Sequence, residues 1–179
     1  MDVYFDTEFN ERQVKAYGLI YTFHKVIDLI SIGLTDDNNR SLYMVSKEFD
    51  VRKAFRNDWI RENVLLPIYW EFKEGTRINS SNVQYYNHWL QSNRTLPEHF
   101  ITGTINNYGY TNLRIRDKIT EFTADYDYAQ FIGYYCSYDW VILSQLYNSM
   151  LEMPKNFNLY PLDLRLLLLT IIVILPIIS

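Results

Sequence analysis

Two acidic residues near the amino terminus have the spacing that metal-dependent chemistry needs. Asp6 and Glu8 close an apolar and aromatic stretch, residues 2 to 9, that has the pattern of a buried strand. On a strand, residues i and i+2 point to the same face, so the two carboxylates lie side by side. Adjacent like charges are costly without a positive partner, and hard divalent cations bind carboxylate oxygens readily. The pair predicts a metal site, although strand ends are also acidic simply because they reach water.

A third carboxylate, Asp139, stands at a junction between two predicted elements. Residues 129 to 136 have the pattern of a buried strand, and residues 139 to 151 that of an amphipathic helix closed by Pro154. The junction allows the Asp139 carboxylate to reach across the end of the sheet. Asp125 and Asp127 are rival acids, but they precede the strand and are expected at its opposite end. The predicted inner side of the helix consists of Val141, Ile142, Leu146 and Met150.

Further strands and helices are needed to position these acids. Residues 26 to 34 and 40 to 46 predict two strands of a hairpin, joined by an Asp- and Asn-rich turn. Residues 10 to 25 predict a loop, and residues 70 to 108, or up to about 110, predict a long surface excursion. Two helices are also predicted, at 58 to 66 with Asp58 as cap and Pro67 as its end, and at 111 to 123 with a threonine cap. This order predicts a mixed α/β fold in which helices pack on a central sheet.

Composition limits the classes of protein. A length of 179 residues suits one domain, and the net charge of -4 argues against a coat protein that holds nucleic acid by neutralising phosphates. It does not argue against a nuclease, because metal-binding carboxylates are themselves acidic. Cys136 is the only cysteine, which excludes an intrachain disulfide, and its position predicts a buried structural thiol. The amino terminus has no basic start or long apolar run, so a cytoplasmic protein is expected.

Several segments together resemble a known family. Residues 6 to 9, 27 to 34 and 43 to 50 resemble the first half of the bacterial and phage DEDDh-type 3′–5′ exoribonucleases, and residues 131 to 143 resemble that family's second motif. The likeness covers residues 2 to about 165. It implies a ribonuclease H-like fold, in which a mixed β-sheet is flanked by helices. It also implies hydrolysis of phosphodiesters from the 3′ end of single-stranded RNA, with DNA as the alternative substrate.

The resemblance assigns roles to the three acids. Asp6 would bridge two Mg²⁺ or Mn²⁺ ions, Glu8 would bind one of them and orient the attacking water, and Asp139 would complete the site. Neighbouring residues are expected to contact substrate, since single-strand binders stack bases on aromatic rings. These predicted contacts are Thr7, Phe9, Tyr138 and Trp140. A homodimer is a further expected arrangement, and no stable membrane insertion is expected.

The chain departs from the family in its third motif, where a histidine base precedes a final aspartate. The histidines are His24, His88 and His99, all upstream of the second motif, and an exposed or structural role is expected for His24. After Arg165 the composition changes to a run of Leu, Ile and Val. Our hypothesis is that a frameshift or premature end replaced the native C-terminal helix. The expected organisation is an exonuclease-like domain over residues 1–165, followed by an apolar tail over 166–179.

Two other interpretations of the tail stay open. It is short for a spanning helix, which needs about 20 residues, and it has the apolar character of a core strand or helix. Without the third motif, weak activity or none is expected. The alternative function is therefore a catalytically inactive nucleic-acid-binding or interaction module of the same fold.

Overall fold

The computed structural model describes residues 1–16, 22–74 and 96–169, and within them the protein has an α/β fold. A five-stranded mixed sheet has the order β3-β2-β1-β4-β5. Antiparallel pairing joins β1 to β2 and β2 to β3, whereas β4 and β5 run parallel to β1. The strands are β1 (Asp2–Ala16), β2 (Thr22–Asp36), β3 (Ser41–Val45), β4 (Gln130–Gly133) and β5 (Leu162–Asp163). The predicted mixed α/β class and the β2–β3 hairpin are confirmed.

The first hairpin is much longer than predicted. Its ladder runs from Val3 opposite Asp36 to Ala16 opposite Thr22, with a register shift between Glu8 and Phe9. The prediction of a loop at residues 10 to 25 was therefore wrong for 10–16 and 22–25, and residues 17–21 lie outside the described part. Backbone pairing does not require apolar side chains. Because this part of the hairpin is polar, the sequence pattern did not predict a strand here. Ion pairs between the two strands of this hairpin join Arg12 to Asp28 and Lys25 to Glu11.

The helices lie on both sides of the sheet. Before β4 come α1 (Val51–Arg56), α2 (Asp58–Ile60), a π-helical turn (Arg61–Leu65), α3 (Leu66–Glu74), α4 (Glu98–Tyr108) and α5 (Asn112–Phe122). After β4 come α6 (Ser137–Leu146) and a 3₁₀ turn (Met150–Glu152), and residues 164–169 form the helical segment α7.

Pro67 does not end its helix, contrary to the prediction. The π-helical turn over Arg61–Leu65 directly precedes α3, so Pro67 falls in the first turn of a new α-helical segment. Pro67 has no backbone N–H to donate, and the helix continues past it directly after the π-helical turn, where the N–H of Leu66 donates to the carbonyl oxygen of Arg61. The cap was also placed one residue late, since the Asn57 side chain accepts hydrogen bonds from the backbone N–H groups of Trp59 and Ile60. The Thr111 cap of α5 is confirmed by its bond from the N–H of Arg114.

Two apolar clusters hold the helices to the sheet. One joins β1, β2 and β4 to α5 and α6, and contains Phe5, Ile32 and Phe131. The other joins Ile30 of β2 and residues after β3 to α1, α3 and α4. Ile101 and Ile105 of α4 are fully buried in this second cluster, so α4 packs on the core through one face and the predicted surface excursion was wrong at 98–108. Residues 75–95 lie outside the described part of the chain.

The inner side of α6 also differs from the prediction. The helix ends at Leu146, and Trp140, Ile142 and Leu143 are buried, whereas Val141 and Met150 are exposed. The helix begins two residues earlier than predicted, and Met150 belongs to a separate 3₁₀ turn. The predicted inner side is therefore confirmed for Ile142 and for Leu146, which packs against the first cluster, and was wrong for Val141 and Met150.

The start of the apolar tail is exposed to solvent. Leu166, Leu167, Leu168 and Leu169 of α7 each keep between 42% and 64% of their surface exposed. Residues 170–179, which include most of the predicted tail, lie outside the described part. Within the described residues, no helix has the length and apolar character needed to cross a bilayer.

Candidate functional site

The sheet and α6 bring the predicted acids to one region. Asp6 and Glu8 lie on β1, and β4, which pairs with the start of β1, leads into α6 with Asp139 in its first turn. Thr7, between the two β1 acids, connects the elements. Its backbone N–H and its hydroxyl donate to Oδ1 of Asp139 at 2.9 and 2.5 Å. The strand spacing predicted Asp6 and Glu8 as neighbours, and the fold adds Asp139 from 132 residues away.

Burial and the charges of neighbouring acids raise the pKa values of Asp6 and Glu8. Partial burial, followed by the charge of Asp139, raises the pKa of Asp6 above its ordinary value. Burial, then the charges of Asp6 and Asp139, raises the pKa of Glu8 to about 7. Each of these causes disfavours the ionised form. A proton or a cation bound at Asp6 and Glu8 would therefore be favoured.

The donor chemistry suits a hard divalent cation, but the arrangement is incomplete. Within the described residues, no group of three or more His, Cys, Asp or Glu side chains is placed to hold a metal ion. Asp139 is engaged through Oδ1 by two donors from Thr7. Carboxylate oxygens are the ligands that Mg²⁺ and Mn²⁺ prefer. Asp6 and Glu8 are thus the pair best suited to hold such an ion, and Asp139 is the third candidate ligand.

Asp163 supports this region, although sequence reasoning gave it no role. Its carboxylate accepts hydrogen bonds from the backbone N–H groups of Tyr135 and Cys136 at 3.2 Å and of Arg165 at 2.9 Å. Tyr135 has a positive φ of 56°, in the left-handed region that side chains other than glycine seldom adopt. Asp163 therefore fixes the turn that leads into α6 and Asp139. The signal available in the sequence was an acid directly after an apolar residue near the chain's composition break.

Two of the predicted substrate contacts, Thr7 and Trp140, are buried. Trp140 keeps 7% of its surface exposed and packs against Phe5 and Phe131. Thr7 keeps 6% and contacts Asp139 with both its donors. Trp140 belongs to the core because α6 packs its indole onto the sheet, and both donors of Thr7 bind the Asp139 carboxylate.

Phe9 and Tyr138 remain candidates for substrate contact. Their rings stack at 5.4 Å between centroids with an interplanar angle of 16°. Tyr138 keeps half of its surface exposed, next in sequence to Asp139. The pair places an aromatic surface beside the acids.

The other predicted residues lie away from the acids or outside the described part. Asp125 is 4.0 Å from Arg40 at the β2–β3 turn, at the other end of β4 from Asp139, as predicted. His99 is exposed on α4, with its ring beside Phe100. The backbone of His24 pairs with Val14 in the hairpin, but its side chain lies outside the described part, as does all of His88. Cys136 is buried as predicted, and burial raises the pKa of its thiol.

A cleft adjoins the acids. It has a volume of about 290 Å³, and Asp6, Glu8, Tyr43 and Pro67 are among its lining residues. A larger groove of about 820 Å³ shares Asp6 and Tyr43 with it and continues along the sheet to Tyr134. Sequence reasoning did not connect Tyr43 with the site, because β3 reaches Asp6 only through the sheet. No protein-family model matches the chain, and no curated protein matches it.

Proposed function

We propose that this protein is a metal-dependent 3′–5′ exonuclease of the DEDDh type, with a ribonuclease H-like fold and single-stranded RNA as its substrate. The observation that carries the proposal is the convergence of Asp6, Glu8 and Asp139, where burial and the charges of neighbouring acids raise the pKa values of the two β1 acids. The sheet order and the flanking helices are compatible with that fold. DNA is the alternative substrate.

The proposed chemistry divides among the three acids. Asp6 and Glu8 would hold Mg²⁺ or Mn²⁺, and a pair of such ions supplies an activated water and stabilises the leaving oxygen. Thr7 holds the Asp139 carboxylate in a fixed orientation through two hydrogen bonds. The groove that runs from Asp6 past Tyr43 to Tyr134 provides space for a nucleic-acid strand, and its exposed tyrosines offer surfaces for bases.

Slow turnover is part of the proposal. Of the histidine side chains, only that of His99 belongs to the described part of the chain, and it lies beside Phe100 on α4. It is not among the residues that line the cleft beside Asp6. None of the described residues that line the cleft is a histidine, and a histidine base would contribute about 10²- to 10⁴-fold to the rate, so weak activity is proposed.

The direct test is digestion of a 5′-labelled single-stranded RNA with and without Mn²⁺. The wild-type protein should shorten the RNA stepwise from its 3′ end only when Mn²⁺ is present, and Asp6→Ala should abolish the shortening. Asp127→Ala, an exposed acid on the loop before β4, is the matched control and should behave as wild type. Equal shortening by Asp6→Ala and wild type would refute the assignment.

A second candidate is a nucleic-acid-binding module without catalysis. It is favoured by the lack, within the described residues, of a three-ligand metal group. It predicts that the same RNA binds without Mn²⁺-dependent shortening. The digestion and a binding measurement on the same samples separate the two functions.

A further inference from the structure

A second cavity lies next to Glu8 and is not used by the proposed chemistry. It has a volume of about 390 Å³, within the range of roughly 300–1,000 Å³ of small-molecule sites. Its lining residues come from β1 and from the start of α2. They are Glu8, Phe9, Asn10, Glu11, Asn57, Trp59 and Ile60. Since Glu8 also lines the cleft beside Asp6, this side chain belongs to both spaces.

Trp59 gives the cavity an accessible aromatic surface. Its side chain lies in the first turn of α2 and keeps 61% of its surface exposed. The backbone around it is fixed, because Asn57 Oδ1 accepts the N–H of Trp59 and Asn63 Nδ2 donates to its carbonyl oxygen at 2.9 Å. A large exposed indole on a fixed backbone is a common anchor of binding sites.

Asn10 provides an independent sign of a ligand. It keeps 5% of its surface exposed, and its buried Nδ2 has no hydrogen-bond partner within the described residues. A buried amide donor without an acceptor is destabilising, so native structures seldom leave one unpaired. An acceptor atom brought by a ligand would remove this destabilisation.

The charges of the lining exclude a phosphate in this cavity. Glu8 and Glu11 are acidic, and none of the described lining residues is a lysine or arginine. Lys25 lies 3.8 Å from Glu11 and offsets part of that charge from outside the lining. An uncharged planar group with hydrogen-bond acceptors at its edge, such as a nucleobase, suits the cavity better than an anion.

We propose that this cavity binds one nucleobase of the RNA, stacked on Trp59 with an acceptor at its edge bonded to Asn10. The inference rests on the proposed function, because Glu8 lines both this cavity and the cleft proposed for the metal-dependent chemistry. Stacking on an indole tolerates every base, since each has a π face. The subsite is therefore expected to bind a nucleotide of any sequence.

The test measures RNA binding rather than cleavage. Anisotropy of a 5′-fluorescein-labelled seven-nucleotide RNA, in buffer with Ca²⁺ in place of Mn²⁺, gives Kd for wild type and variants. Trp59→Leu should raise Kd about tenfold, since a base–aromatic stack is worth about 1–3 kcal/mol. Trp59→Phe should lie between them. Tyr160→Leu, which removes an aromatic ring that is 79% exposed and does not line this cavity, should bind as wild type.

The same RNA with a single abasic residue, moved through its last three positions, shows whether Trp59 contacts a base. At one position the difference between wild type and Trp59→Leu should disappear. Asn10→Leu, of similar volume, should weaken binding severalfold while the melting temperature is unchanged or higher.

Three results would overturn the subsite. These are unchanged Kd for Trp59→Leu, a loss of affinity that persists at all abasic positions, and no binding of the RNA by wild type. RNA binding that depends on Trp59 and on a base, without any cleavage in Mn²⁺, would support the subsite while refuting the exonuclease.

Discussion

Two acidic regions of the first hairpin have opposite electrostatics. Asp36, at the end of β2, keeps 2% of its surface exposed, and its pKa is lowered to about 2. Burial alone would raise that pKa, but hydrogen bonds from Tyr126, Arg40 and the N–H of Asn38 outweigh it. Glu8, on β1, is only partly buried, yet burial and two neighbouring acids raise its pKa to about 7.

The difference shows that burial does not decide what a carboxylate does. The Asp36 carboxylate is bonded to donors from its own turn and from Tyr126, and the Arg40 guanidinium lies 5.1 Å from the ring centres of Phe122 and Tyr126. These contacts tie the β2–β3 turn to the end of α5. Asp36 is therefore structural, whereas Asp6 and Glu8, with like charges beside them, have the capacity to bind a cation.

The largest expected effect is on catalysis, at the β1 acids. Asp6→Asn keeps the side chain's shape and removes a charge that raises the pKa of Glu8. We expect the Mn²⁺-dependent rate to fall at least about 10³-fold, or roughly 4 kcal/mol, while the metal-free protein becomes no less stable. Single-turnover RNA digestion and urea unfolding measure the two quantities. A large loss of stability would show that Asp6 has a structural role, as Asp36 does, and would contradict this prediction.

The second-largest effect is expected on stability, at Asp36. Asp36→Asn removes the charge that accepts bonds from Arg40 and Tyr126, and we expect a loss of about 2–4 kcal/mol in the free energy of unfolding. The pKa of Asp36 is lower in the folded protein than in the unfolded protein. This stabilisation is therefore present above the unfolded pKa near 4 and is lost as the pH falls towards 2. Urea unfolding between pH 2 and 7 measures it. Asp127→Asn is the exposed control, and an equal loss in that variant would contradict the assignment.

A smaller effect, with the opposite sign, is expected at Glu8. Because its folded pKa is raised, the metal-free protein should lose stability as the pH rises from about 4.5 to about 7. Glu8→Gln should remove this dependence and stabilise the metal-free protein at pH 8 by about 1 kcal/mol, a value reduced for solvent screening. Thermal unfolding in EDTA across this pH range tests the sign. Stability that rises with pH in wild type would refute the repulsion among the acids.

The smallest effect is expected when the hydroxyl bond from Thr7 to Asp139 is removed. Thr7→Val removes the hydroxyl donor and keeps the backbone N–H, so about 1 kcal/mol of stability should be lost. The Mn²⁺-dependent rate should fall roughly tenfold, because outer contacts orient metal ligands. Thr7→Ser restores the hydroxyl and should recover most of the rate. A rate for Thr7→Val equal to that of wild type would show that the N–H alone orients Asp139.

Local patterns accounted for much of the fold but less of the site. Strand alternation gave the β2–β3 hairpin and the β1 acids, and the Thr111 cap gave the start of α5. The full length of the first hairpin was not predicted because its outer residues are polar. Helix α4 was not predicted because its apolar residues are few. Sequence reasoning gave Trp59 and Asn10 no functional role, since neither forms a motif and the cavity exists only where β1 meets α2.

The sequence by itself determined that Asp6 and Glu8 are neighbours and that Asp139 opens a helix after a strand, because spacing within an element fixes which residues share a face. Only the tertiary structure decided which of these acids meet and what surrounds them. The bond from Thr7 to Asp139 spans 132 residues, and the network of Asp36 with Tyr126 spans 90. Whether a carboxylate gains donors or other acids as neighbours depends on the packing of β1, β2, α5 and α6, which no local pattern encodes.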